Sequence, residues 1–103
     1  METITRYIAG REREFRLDIK AAMACEKATG LGLLKMAERE GVTDVCSILF
    51  YSRVDKDLVS FDVFCDSLMK EGYGNAVALA AELISNFFLP QSGAKKAEEA
   101  KAE

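Results

Sequence analysis

The chain contains no histidine. That single absence removes the commonest general base, the commonest activator of a hydroxyl or thiol nucleophile and the commonest metal ligand together. Ser47, Ser60 and Ser67 therefore have no imidazole to activate them. Cysteine is sparse: Cys25, Cys46 and Cys65 lie about 20 residues apart, each within an apolar helical pattern and without a second Cys or a His beside it. Metal sites use closely paired ligands, and disulfide frameworks use an even count in a secreted chain, so the three read as buried or half-buried free thiols. Long hydrophobic runs are also missing. No stretch of about 18 or more apolar residues occurs, and METITRYIAGRERE carries charges where a signal peptide needs its apolar segment. The expectation is no membrane span and a cytoplasmic location. Nor does charge of one sign dominate: 14 basic residues are interleaved with 17 acidic ones for a net charge of -3. No broad positive field is present to attract phosphates, so nucleic acid is not an expected partner. The carboxylates are scattered over polar helix faces, with no apolar pocket evident to raise a pKa and no pair suited to general acid and base work. The chain reads as no enzyme, with no cofactor and no metal.

What the chain does have is apolar surface. Half of its 103 residues are hydrophobic, enough for one core once a polar tail is set aside. Residues 1–90 are expected to form a single globular helical domain with an N-terminal hairpin, and residues 91–103, QSGAKKAEEAKAE, a flexible polar tail. The fold class is mainly α with a small N-terminal β-hairpin (α+β), a compact bundle of about five short helices. Period-two patterning over Thr3 to Ala9 and Glu12 to Leu17, on either side of Ala-Gly-Arg, predicts the hairpin, with the charges from Arg11 to Arg16 facing water. The stretch from Phe15 to Gly41 then turns strand into helix and stops it twice with glycine. Asp18 caps a helix over Ile19 to Thr29 that ends at Gly30, with Ile19, Ala22, Met23 and the stem of Glu26 inward. A second, Leu31 to Glu40, turns Leu33, Leu34 and Ala37 inward. Thr43 caps a third from Asp44 to about Arg53, whose apolar arc is wide enough for burial on two sides or a partner.

Ser60 caps a fourth helix, Phe61 to Glu71, in which Phe61, Phe64, Cys65, Leu68 and Met69 give the cleanest amphipathic spacing of the chain. The fifth, from about Asn75 to Leu89, has few polar residues besides Glu82, Ser85 and Asn86. Val77, Ala80, Ala81, Ile84, Phe87 and Phe88 form one stripe and Leu79 and Leu83 a second, so this helix is central in the core or an interface. Pro90 bars its continuation.

Two motifs fall short of chemistry. GLG at 30 to 32 lacks the lysine, the further glycines and the buried strand of a phosphate loop. SRVDKDLVSFDVF looks like the exit of a calcium-binding EF-hand, but that register puts Ser52, Val54, Lys56 and Asp57 at its first, third, fifth and glycine positions and Val63 at its twelfth. Starting at Asp55 instead offers Asp55, Asp57 and Asp66, with Val59 and Ser60 at the fifth and glycine positions. Both registers read as a solvated acidic loop followed by a serine cap.

The order of a short hairpin, a strand running into an amphipathic helix (FRLDIKAAMACEKATG), a Leu-rich helix and three further helices with a capped start (VSFDVFCDSLMKEG) resembles the tail assembly chaperones of long-tailed bacteriophages and prophages. The likeness covers residues 3 to 89, with an alanine-rich last helix as a departure. It implies a non-enzymatic protein that binds the tape-measure protein and helps recruit tail tube subunits. It also implies a longer product made by programmed frameshifting, for which Ala94-Lys95-Lys96 is encodable as GCA AAA AAG, a slippery run. Grooves between amphipathic helices suit a client helix. The candidate protein-binding residues are Phe50, Tyr51, Leu79, Leu83, Phe87 and Phe88, each with an alternative reading as core or homo-oligomer contact. The alternative function is a helical protein-protein interaction module, a degenerate EF-hand-like helix-loop-helix without calcium.

Overall fold

The structure, a computed structural model, describes residues 3–55 and 57–89. It opens with two antiparallel strands, β1 (Ile4–Ile8) and β2 (Arg11–Phe15), in a register running from Ile4 opposite Phe15 to Ile8 opposite Arg11. The turn is shorter than Ala-Gly-Arg. Ala9 and Gly10 alone make it, with φ of 55° and 89°, the pair of positive angles that a two-residue hairpin needs to match strand twist. One face carries Thr5, Tyr7, Glu12 and Glu14 to solvent, while Ile4, Ile8 and Phe15 enter the core. Arg13 shares that inner face and is buried, so the run of charges from Arg11 to Arg16 does not all face water. Strand periodicity puts Arg13 inside, and carboxylates elsewhere in the chain make its burial tolerable.

Five helices follow: α1 (Ile19–Thr29), α2 (Leu33–Arg39), α3 (Val42–Ser52), α4 (Phe61–Lys70) and α5 (Tyr73–Phe88). The mainly α architecture with an N-terminal hairpin is thus what the patterning predicts. Asp18 caps α1 by accepting from the Ala21 N–H, Gly30 ends it at φ 76°, and the Ser60 hydroxyl accepts from the Val63 N–H at the start of α4. At α3 the cap differs from the expectation of Thr43. Gly41 is the N-cap, and the Asp44 carboxylate reaches back to accept its N–H at 3.0 Å. Asp44 is buried and also holds Arg39 Nε at 3.2 Å, which ties the end of α2 to the start of α3.

Helix α3 is the centre of the molecule, packing against α1, α2, α4 and α5. Val45, Cys46, Ile48 and Leu49 are all buried, which explains its wide apolar arc. Its end also closes the sheet. Arg16 N–H donates to the Ser52 carbonyl at 2.7 Å and Val54 N–H to the Glu14 carbonyl at 2.9 Å, so the chain after α3 covers the free edge of β2.

Several inward faces are rotated from those expected. In α1 Ala22 and Cys25 are buried while Ile19 and Met23 are exposed; in α2 Leu33 and Met36 are buried and Leu34 is exposed. Small residues on the inner face of α1 let it approach α3 closely, a gain that hydrophobicity alone does not register. In α5 the core face draws on both stripes. Ala76, Leu79, Ala80 and Leu83 form its core face, and Val77, Ala81 and Ile84 lie toward the edge. A helix that is apolar most of the way round does not declare which stripe goes in. The three cysteines are free thiols, Cys25 and Cys46 buried and Cys65 half-buried. Burial pushes the Cys25 thiol up to about 11 and the Cys65 thiol, with Cys46 beside it, up to about 12.

Candidate functional site: an apolar groove between α2, α3 and α5

Helices α2 and α5 both pack on α3 and leave a cleft between them. Met36, Ala37 and Glu40 form one wall, Val45 and Ile48 the floor, and Val77, Ala80, Ala81, Ile84 and Ser85 the other wall. The cleft holds about 210 Å³, on the scale of a cavity that takes an aromatic ring. Three alanines, Ala37, Ala80 and Ala81, make the room, and only Glu40 and Ser85 bring polar side chains. Along α5 the line Val77, Ala81, Ile84, Phe88 advances by four, three and four residues, the spacing of a helix seam that takes a partner helix. Phe88 extends this line beyond the cleft and is 46% exposed. A wider depression of about 620 Å³ between α1, α3 and the start of α4 has a mixed lining, polar at Thr29, Arg39, Thr43, Asp44 and Ser47 and apolar at Leu31, Tyr51 and Phe61.

The six residues singled out from sequence do not form one site. Leu79 and Leu83 are core residues, 3% and 2% exposed, and are closed to a partner in this fold. Phe50 is half-buried in the last turn of α3 and does not line the cleft, its ring edge-on to Tyr51, Phe61 and Phe64 at 5.2, 5.3 and 5.6 Å, with the Arg53 guanidinium 4.1 Å above it. Tyr51 is half-buried beside it. Phe87 and Phe88 stack edge-on at 5.2 Å at the end of α5, Phe88 one helical turn beyond Ile84, and none of the six lines the cleft itself. Sequence reasoning missed Met36, Ala37, Val45 and Ile48 as cleft residues and placed Val77, Ala81 and Ile84 inside. The signal that was available is the seam spacing along α5; the other walls come from two separate helices and have no sequence signature.

The acidic loop before α4 serves the fold. Asp57 receives Arg11 Nη2 at 3.0 Å, Arg13 Nη1 at 3.1 Å and Arg53 Nη1, while Asp55 pairs with Arg11. Arg13 and Arg53 are 5% and 6% exposed and lie over the Phe64 ring at 5.4 and 5.5 Å. The Arg11 hydrogen bond first, then Arg13 and Arg53, hold the Asp57 carboxyl below the usual carboxylate range. Of the three aspartates weighed as calcium ligands, Asp55 and Asp57 are thus engaged by arginines and Asp66 pairs with Lys70 at 3.4 Å, and no cluster among the described residues has the makings of a metal site. No helix of the described residues is long and apolar enough to cross a membrane. The tail, its Ala94-Lys95-Lys96 run and Pro90 lie outside the described residues.

No protein-family model, curated protein or solved structure matches this chain.

Proposed function

We propose that this chain is a non-enzymatic binding protein that holds an amphipathic helix of a client in the cleft between α2, α3 and α5, in the role of a tail assembly chaperone of long-tailed phages. The observation that carries the binding role is the open cleft itself: apolar walls from three helices, continued by the exposed Phe88 along a seam with helix-pairing spacing. Helix-in-groove recognition reads such a surface through apolar anchors at i, i+3, i+4 and i+7. The phage role rests on the resemblance in element order over residues 3 to 89. In it the client is the tape-measure protein, with tail tube subunits recruited around it.

A helical interaction module outside any phage is the second reading. It draws on the same cleft and on the engagement of Asp55 and Asp57 by arginines, which makes calcium unnecessary to the fold.

The test is to express the gene from its native locus with several hundred bases of downstream DNA and to purify the tagged chain. Expected are a long helical protein encoded nearby that copurifies, and a second, longer band in an immunoblot that disappears when the Lys95 and Lys96 codons are silently recoded. Ala81→Phe, at an exposed position on the cleft wall, fills the cleft without replacing a buried residue and should abolish copurification. A folded Ala81→Phe protein that retains its client overturns the cleft. Binding of a client not encoded nearby, with a single immunoblot band, favours the second reading.

A further inference from the structure

Glu40 is the charged residue of the cleft lining. No lysine or arginine among the described residues pairs with its carboxylate, whereas the neighbouring Arg39 is taken by Asp44. Its backbone is left-handed at φ 52°, closing α2 with its N–H on the Met36 carbonyl at 3.0 Å. Glycine satisfies that conformation more cheaply, and glutamate is not among the residues that favour it. The chain thus keeps a carboxylate at a position where its backbone would do better with none. Glu40 closes α2 and immediately precedes Gly41, the N-cap of α3, so the acid stands where those two helices join, in a cleft lining whose only other polar side chain is Ser85.

We propose that the cleft selects a client helix with one bulky apolar anchor and, about one turn away, a lysine or arginine that pairs with Glu40. This rests on the cleft reading above and adds its recognition rule. The cleft volume suits one large side chain seated against Ala37, Ala80 and Ala81. Residues three or four apart on a helix stand about 5–6 Å from each other, which brings the basic side chain to Glu40 when the anchor is seated. A client acid at the same place would meet Glu40 with like charge in a cleft that offers no cation to offset it.

The probe is a fluorescein-labelled helical peptide of about 18 residues, long enough to hold a helix on an Ala/Gln background. It carries leucines at i, i+3 and i+7 and either Lys or Glu four residues from the central leucine, and binding is read by polarisation at low salt. The Lys peptide should bind about fivefold more tightly than the Glu peptide, the scale of a partly exposed ion pair, and the gap should shrink with salt. Glu40→Gly removes the charge while relieving the backbone, so it folds at least as well, and the gap should vanish. Glu40→Lys should invert it. Equal binding of both peptides to the parent, or a gap that survives Glu40→Gly, overturns this rule. If Ala81→Phe still blocks both peptides in that case, the cleft reading stands; if neither peptide binds the parent, both fall.

Discussion

Replacing Asp57 by Asn tests whether the three-arginine cluster fastens the hairpin to the helices. The carboxylate receives hydrogen bonds from Arg13 and Arg53, both about 95% buried, and the substitution leaves two guanidinium groups against the Phe64 ring with an amide that offers them one acceptor. Arg13 already has a buried Nε without a partner, so it has little else to turn to. A hydrogen bond to a charged group is worth about 1.5–3 kcal/mol, and two such losses set an upper limit near 6 kcal/mol. Asp57 is 31% exposed, and water entering from its side rehydrates part of the cluster. The discounted expectation is a loss of about 2–3 kcal/mol, below the full cost of breaking an enclosed pair. For a domain of this size that lowers the melting midpoint by roughly 8–20 °C at pH 7, read by far-ultraviolet circular dichroism. Asp55→Asn, which touches only the exposed Arg11, is the control and should melt with the parent. The pH dependence adds a second signature. Asp57 has a depressed pKa in the folded state, so its contribution is fully present above the unfolded value of about 3.9 and is lost as pH falls through the folded value. The difference between parent and Asp57→Asn should therefore be constant from neutral pH to about 5 and narrow below about 4. If the two proteins melt together at pH 7, the cluster is an exposed ion network of no structural consequence and this reasoning is refuted.

Leu83→Ala should cost about 2–4 kcal/mol in urea unfolding, as expected of a buried leucine, whereas Phe88→Glu should leave the midpoint unchanged and weaken only client binding. A destabilised Phe88→Glu protein would show that this ring belongs to the core. Iodoacetamide at pH 8 should leave Cys25 and Cys46 unmodified in the native protein and react slowly at Cys65, because burial holds Cys25 at about 11 and Cys65 at about 12 and thiolate is scarce. Mass spectrometry should find all three labelled once denaturant is added; rapid native labelling of Cys25 would mean that α1 opens readily from α3.

Local signals in the chain were enough to place the elements. Asp18, Gly30 and Ser60 act on backbone groups within four residues of themselves, so their roles at the ends of α1 and α4 are legible without a tertiary structure. The hairpin is legible for the same reason, since alternation and a tight turn are properties of consecutive residues. The width of the apolar arc of α3 likewise announced a helix buried on more than one side. Where a helix had one clear stripe, as in α4, spacing placed its centre: Phe64 and Leu68 are buried and Phe61 and Cys65 half-buried, while Met69 at the end of the stripe is exposed.

What remained undetermined were choices between nearly equal surfaces and contacts between distant residues. Helix α5 is apolar around most of its circumference, and only packing against α3 and α4 decides that Leu79 and Leu83 go in while Val77, Ala81 and Ile84 line a cleft. Arg13 alternates with its neighbours like any strand residue, but its burial depends on Asp57, 44 positions away. The loop aspartates looked like failed calcium ligands because their arginine partners come from β2 and the end of α3. The cleft takes its walls from three helices, and its shape exists only once α2 and α5 are held apart on α3. A chain records its local preferences residue by residue; which of two apolar stripes is spare depends on how the rest of the chain packs around it.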